Sequence, residues 1–122
     1  MSGDLLLDSN IVIALFAGET AAQARIAASP AVYLPATALG ELYYGAEKSS
    51  RAAENVERVR QFAAAAAVLP CDSAAAREYG RIKEILRAKG KPIPENDIWI
   101  AAAALQHGLT LATRDRRIGL SS

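Results

Sequence analysis

Four acidic residues stand where a carboxylate could do chemistry. Asp8 and Asp115 each follow a short apolar run, Asp97 precedes a long one, and Glu41 flanks an apolar stripe. If the four converge, like charges a few ångströms apart resist joint ionisation, and a divalent cation is the usual resolution. These residue types therefore indicate a metal site.

The chain offers few other ligands. It has one cysteine, Cys71, and one histidine, His107, so a metal must be held mainly by oxygen, which favours Mg²⁺ or Mn²⁺ over zinc. We interpret His107 as part of a helix end, because Gly108 follows it. A hard cation bound to carboxylates activates water and stabilises charge on a phosphate. The chemistry that fits is metal-dependent phosphodiester hydrolysis.

Each carboxylate also has a purely structural interpretation. Asp8 and Asp97 are suited to capping helices, and Glu41 could be a solvated helix side chain. Asp115 could be an ordinary turn aspartate. Only the tertiary structure can decide between these alternatives.

Composition predicts a single domain over residues 1–122. Hydrophobic residues make up 52% of the 122, enough for one sizeable core. There is no apolar run of about 18 residues and no leader pattern, so we expect a soluble cytoplasmic protein. Net charge is +1, so any nucleic-acid contact must come from a local patch.

Apolar runs that suit short strands alternate with stretches of helical periodicity. The strands are predicted at 5–7, 32–34, 68–69 and 109–112, and the helices at 11–16, 19–28, from 37, 51–66, 72–89 and from 98 to 107. This alternation predicts an α/β fold with a parallel sheet covered on both faces. Asp8 would then lie at the carboxyl end of a central strand, where open α/β sheets bind ligands.

Helix ends carry recognisable signals. Two prolines mark the approach to the apolar helix, and the polar residues 95–97 are predicted to cap it. Thr37 is predicted to cap an earlier helix. The helix before the prolines should bury Ala76, Tyr79, Ile82, Ile85 and Leu86. Its basic residues form either a solvated face or a strip facing phosphates: Arg77, Arg81, Lys83, Arg87, Lys89 and Lys91.

Four segments together resemble the successive motifs of PIN-domain ribonucleases, and more narrowly the VapC-type toxins of bacterial type II toxin–antitoxin systems. The segments are Leu-Leu-Leu-Asp-Ser-Asn-Ile, Thr-Ala-Leu-Gly-Glu-Leu-Tyr-Tyr-Gly-Ala, Pro-Glu-Asn-Asp-Ile-Trp-Ile-Ala-Ala and Leu-Ala-Thr-Arg-Asp. The resemblance extends from Leu5 to Asp115. It implies a three-layer α/β/α sandwich around a parallel sheet of four to five short strands.

The resemblance also implies a site and partners. The acidic ligands of Mg²⁺ or Mn²⁺ would be Asp8, Glu41, Asp97 and Asp115, and neighbouring polar residues would orient the carboxylates or a phosphate: Ser9, Asn96 and Thr113. Family members are usually homodimers that cut RNA, such as tRNA, rRNA or mRNA, and are neutralised by a cognate antitoxin protein. Products would carry 5′-phosphate and 3′-hydroxyl ends. Trp99 also matches the family, and we interpret it as a core residue.

Other functions are weighed against this one. A catalytically weak PIN-fold interaction module would have lost acidic ligands, and all four are present. An aspartyl phosphatase needs a second aspartate two residues after the first, where this chain has Asn10. A phosphoreceiver needs a paired acidic site after its first strand, and Asp8 followed by Ser9 is not such a pair. The segment after Asp115 departs from the family pattern, because it lacks an aromatic residue.

Overall fold

The computed structural model describes residues 4–112, which form four strands and six helices in alternation. The strands are β1 (Leu5–Leu7), β2 (Val32–Pro35), β3 (Ala67–Leu69) and β4 (Thr110–Ala112). The helices are α1 (Ser9–Phe16), α2 (Thr20–Ala27), α3 (Ala36–Glu47), α4 (Ala52–Ala65), α5 (Ser73–Ala88) and α6 (Glu95–His107). Each predicted element is present within two residues of its predicted ends, except that α6 begins three residues earlier than predicted, at Glu95.

All four strands are parallel, in the order β3-β2-β1-β4. The predicted α/β fold with Asp8 at the end of a central strand is therefore confirmed. The chain steps from β1 to β2 to β3 in one direction, then crosses back to β4. Because parallel crossovers are right-handed, this reversal places α5 and α6 on the opposite face of the sheet from α1 to α4.

Helix α6 lies at the centre of the packing, as its apolar sequence predicts. Its residues Ile100, Ala103 and Ala104 join the main core with the sheet, and Ile98, Ala101 and Ala102 pack against Ile82 of α5. The helix begins directly after Pro94 and ends at Gly108, whose φ of 65° is left-handed. This packing fixes the beginning of α6 at the carboxyl edge of the sheet.

Some predicted details are wrong. Helix α3 begins at Ala36 after Pro35, so Thr37 lies inside the first turn and is not the cap. On α5, Ala75 and Ile82 are the buried residues, whereas Ala76 and Ile85 are exposed. Periodicity locates an apolar stripe, but the angle at which α5 meets α6 decides which edge of that stripe is covered. Across residues 4–112, no helix is both long and apolar enough to cross a membrane.

Candidate active site

A cavity of about 310 Å³ opens at the carboxyl edge of the sheet, where α1, α3 and α6 meet. Three of the four predicted acidic residues line it, Asp8, Glu41 and Asp97. The rest of the lining is Ser9, Asn10, Pro94, Glu95, Asn96 and Ile100. Residues separated by up to 92 positions in the chain thus meet in one place, as the convergence argument predicts.

Asp8 is the only buried charged side chain in the part of the chain that the structure describes, with 2% of its surface exposed. The backbone N–H of Ile11 donates to its Oδ1 atom at 2.9 Å, so Asp8 caps α1 as well as lining the cavity. Its own backbone N–H donates to the carbonyl of Ala112 at 3.3 Å, which joins it to the end of β4. A carboxylate this buried is stable only with compensating donors or charge, and the α1 N-terminus supplies part of that compensation.

Glu41 is half-buried in α3 and is not a freely solvated side chain. Its Oε1 atom accepts from the Ser9 hydroxyl at 3.1 Å, and its Oε2 atom accepts from the Asn96 amide at 2.8 Å. Two of the three supporting residues implied by the family resemblance therefore contact this carboxylate. The contacts connect α1, α3 and α6 across the cavity.

Asp97 is the third residue of α6, and the interpretation of residues 95–97 as caps is wrong. Pro94 occupies the capping position, no side chain caps the helix, and the N–H groups of Asp97 and Ile98 donate to the Pro94 carbonyl at 3.0 and 3.2 Å. Asp97 is half-buried, with its Oδ2 atom buried. Its side chain therefore lines the cavity and does not cap the helix.

The remaining predicted site residues, Thr113 and Asp115, lie outside the described residues. Sequence reasoning assigned no active-site role to four of the lining residues, Asn10, Pro94, Glu95 and Ile100. Asn10 and Glu95 are adjacent to predicted site residues in the sequence, so adjacency could have indicated them. Ile100 lies one helical turn after Asp97, and this spacing was its only signal.

The donor chemistry of the cavity suits a hard cation. Carboxylate, hydroxyl and amide oxygens line it, whereas Cys71 and His107 do not. Within residues 4–112, no three Asp, Glu, His or Cys side chains lie close enough together to hold an ion. The cavity lining has the ligand types that Mg²⁺ or Mn²⁺ takes.

Beside the cavity, Glu95 is held by two residues of α5. The Tyr79 hydroxyl donates to it, and the Lys83 ammonium lies 2.9 Å from its Oε2 atom. These contacts, with Tyr79 contributing most, hold the pKa of Glu95 below its ordinary value. Trp99 stacks on the Tyr79 ring with centroids 4.1 Å apart, and it is half-buried.

The family model described as PIN domain matches residues 5–120. The chain belongs to the PIN domain family. The resemblance seen in the four motifs is therefore confirmed, and so is the fold it implies.

Named relatives of this PIN domain are ribonucleases. It is 40% identical over 79 residues to Ribonuclease VapC2 of Haemophilus influenzae, covering 65% of this chain and 60% of that protein. This chain thus spans less than two thirds of that relative. It is 35% identical over 121 residues to the VapC ribonuclease Y4jK of Sinorhizobium fredii, covering 91% of this chain and 86% of the relative.

Solved structures agree on the fold. DNA-bound VapBC of Salmonella typhimurium superposes with a TM-score of 0.86 at 29% identity, covering 98% of this chain and 91% of that one. FitAcB of Neisseria gonorrhoeae superposes with a TM-score of 0.83 at 30% identity, covering 96% of this chain and 91% of that one. The four parallel strands described here match the fold of these proteins.

Proposed function

We propose that this PIN domain, spanning residues 1–122, is a Mg²⁺- or Mn²⁺-dependent endoribonuclease and the toxin of a toxin–antitoxin pair. The observation that carries the proposal is the single cavity lined by Asp8, Glu41 and Asp97, which come from three different elements. The names of the ribonuclease relatives support the reaction class. The RNA could be tRNA, rRNA or mRNA, and the cytoplasm is where the protein would meet it.

Each acidic residue has a distinct part in this proposal. Asp8 and Asp97 would hold the cation from the end of β1 and the first turn of α6, and Glu41 would hold it from α3. Asp115 would complete the set, with Thr113 beside it. When bound, the cation supplies positive charge that activates water and stabilises the phosphate during displacement.

Water is the nucleophile that the cavity favours. Neither the cysteine nor the histidine lines it: Cys71 lies beside a different pocket, and His107 ends α6 far from Asp97. Ser9 and Asn96 donate to Glu41 and so fix the direction of that carboxylate. Hydrolysis by water would leave 5′-phosphate and 3′-hydroxyl ends.

The partners follow from the same comparisons. We propose a cognate antitoxin protein, since the structures that resemble this chain are VapBC and FitAcB complexes. We also propose a homodimer, on family resemblance alone. Size-exclusion chromatography with light scattering would measure the second point directly.

Asp8→Asn and Asp97→Asn test the reaction. Asparagine can keep the contact with Ile11 that caps α1, so Asp8→Asn removes charge without removing the cap. Both variants should fold, by circular dichroism, and should release no new 5′-phosphate ends from total bacterial RNA in the presence of Mn²⁺. Asp72→Asn makes the same change at the α5 N-terminus, away from the cavity, and should cleave like the unsubstituted protein. Full activity in either cavity variant would refute the assignment.

One observation keeps the interaction-module alternative open. As placed, no three acidic, histidine or cysteine side chains of residues 4–112 are close enough to bind an ion. A protein that never binds the cation would fold normally and would not cleave RNA. Metal-dependent stability, developed in the Discussion, separates the two functions without needing the right RNA.

A further inference from the structure

Three basic residues of α5 pair with carboxylates, and they do so in two different ways. Arg81 pairs with Glu78 at 2.7 Å, and Arg87 pairs with Glu84 at 2.6 Å, each one turn earlier on the same helix. These arginines are neutralised within α5, as a solvated face predicts. Lys83 differs, because its ion-pair partner is Glu95 on α6.

Lys83 also has contacts besides its ion pair. Its ammonium lies 2.9 Å from Glu95, 3.1 Å from the Tyr79 hydroxyl and 5.5 Å from the Tyr79 ring centroid. Tyr79 is in turn fixed by its stack on Trp99 of α6, with an interplanar angle of 14°. The charge is thus placed on an aromatic support shared by two packed helices.

The position of the pair is the decisive feature. Glu95 lines both the carboxylate cavity and a second pocket of about 480 Å³, and Lys83 lines that second pocket. An RNA chain that leaves the cavity past Glu95 would therefore pass beside Lys83. About half of the Lys83 side chain is exposed, 53%, so its ammonium can be reached from solvent.

We propose that Lys83 binds an RNA phosphate next to the scissile one, and that Glu95 forms an ion pair with the Lys83 ammonium when no RNA is bound. This inference rests on the proposed ribonuclease function. A phosphate and a carboxylate are alternative partners for one ammonium. Since Glu95 is itself exposed, it can move aside when a phosphate binds.

Electrostatics are consistent with this exchange. The hydrogen bonds that Lys83 donates to Glu95 and to the Tyr79 hydroxyl raise the pKa of Lys83, and the ammonium is charged at neutral pH. Removing Glu95 leaves a lysine without its carboxylate competitor, whereas removing Lys83 leaves a carboxylate facing the RNA. The two substitutions should therefore change RNA affinity in opposite directions, which a purely structural ion pair would not do.

Fluorescence anisotropy of a short labelled RNA of mixed sequence measures the RNA affinity of each variant. The parent protein carries Asp97→Asn to prevent cleavage. In this parent, Lys83→Gln should weaken RNA binding about fivefold near 0.1 M salt. It should also reduce the slope of log K against log salt by about 0.7, the value for one phosphate contact on a single strand. Glu95→Gln should tighten binding. Arg81→Gln is the matched control on α5, and its affinity should equal that of the parent.

The possible outcomes separate the two levels of inference. If the parent binds RNA but Lys83→Gln behaves like Arg81→Gln, the Lys83 contact is refuted and the ribonuclease function stands. If Lys83→Gln and Glu95→Gln weaken binding equally, the pair is structural and the contact is again refuted. If the parent shows no salt-dependent binding, both the proposed function and the contact fail. Thermal unfolding of each variant identifies any loss of affinity that comes from misfolding.

Discussion

Replacing Asp97 with asparagine tests whether the cavity is a metal site or only a polar cleft. Asp97 lines the cavity with Asp8 and Glu41, and it does not cap α6. Asp97→Asn should therefore preserve the helix while removing one of the charges that would bind the cation. The unsubstituted protein should gain stability with Mn²⁺ or Mg²⁺, and the variant should gain much less.

The expected size follows from binding linkage and the chain length. A ligand at a hundred times its Kd adds about 2.7 kcal/mol to the free energy of unfolding. With an unfolding entropy of about 2.1 cal/mol/K per residue over 122 residues, 1 kcal/mol shifts Tm by about 4 °C, so the gain is about 10 °C. If losing one carboxylate weakens binding a hundredfold, the same metal concentration adds only about 0.4 kcal/mol, or roughly 2 °C.

Differential scanning calorimetry at increasing Mn²⁺ or Mg²⁺ measures both gains. Asp72→Asn is the matched control, because it makes the same change at a helix N-terminus outside the cavity and asparagine can still accept from Ala75. It should retain the full metal-induced shift. Equal shifts in Asp97→Asn and the parent, or no shift in either, would refute a metal site at Asp97 and favour the interaction module.

Two further predictions concern the backbone and the cavity rim. Gly108→Ala should lower the free energy of unfolding by about 1–2 kcal/mol, because φ there is 65°. Gly80→Ala lies inside α5 with no packed neighbour within 4 Å of an added Cβ, and it should raise the free energy of unfolding by about 0.5–1 kcal/mol. Urea unfolding measures both changes, and changes of the same sign in the two variants would contradict the backbone argument. Tyr79→Phe removes the largest cause of the lowered Glu95 pKa, so NMR titration should find that pKa raised. A lowered carboxyl pKa stabilises the fold at pH values above the ordinary glutamate pKa. This contribution should therefore be present at neutral pH and vanish as the pH falls through the lowered pKa. An unchanged Glu95 pKa in Tyr79→Phe would refute the role of Tyr79.

Local physics made much of the fold predictable. Three leucines followed by a capping aspartate predicted β1 and the start of α1, and the structure has both. Gly90 and Gly108 ended their helices with left-handed φ, as their places after periodic stretches indicate. These features depend on residues within a few positions of one another, so the sequence pattern contains them.

Three acidic residues of the cavity, Asp8, Glu41 and Asp97, were predictable, but the contacts that they make were not. Acidic residues at strand and helix ends predicted the cavity, because a parallel sheet brings such ends to one edge. The family resemblance implied that Ser9 and Asn96 orient a carboxylate or a phosphate, but not that both, 32 and 55 positions away, donate to Glu41. The sequence also left Asp8 open between a helix cap and a metal ligand, and in the structure Asp8 caps α1 and lines the cavity.

Sequence alone determined the types of the elements, their order and the carboxylates available for a cation. Only the tertiary structure decided which helix faces are covered and which charges are engaged. On α5, Arg81 and Arg87 pair with glutamates of the same helix, whereas Lys83 pairs with Glu95 of α6 at the cavity rim. The physical reason is that helix periodicity defines a stripe of side chains, but the packing angle and offset of the neighbouring helix decide which of them meet a partner.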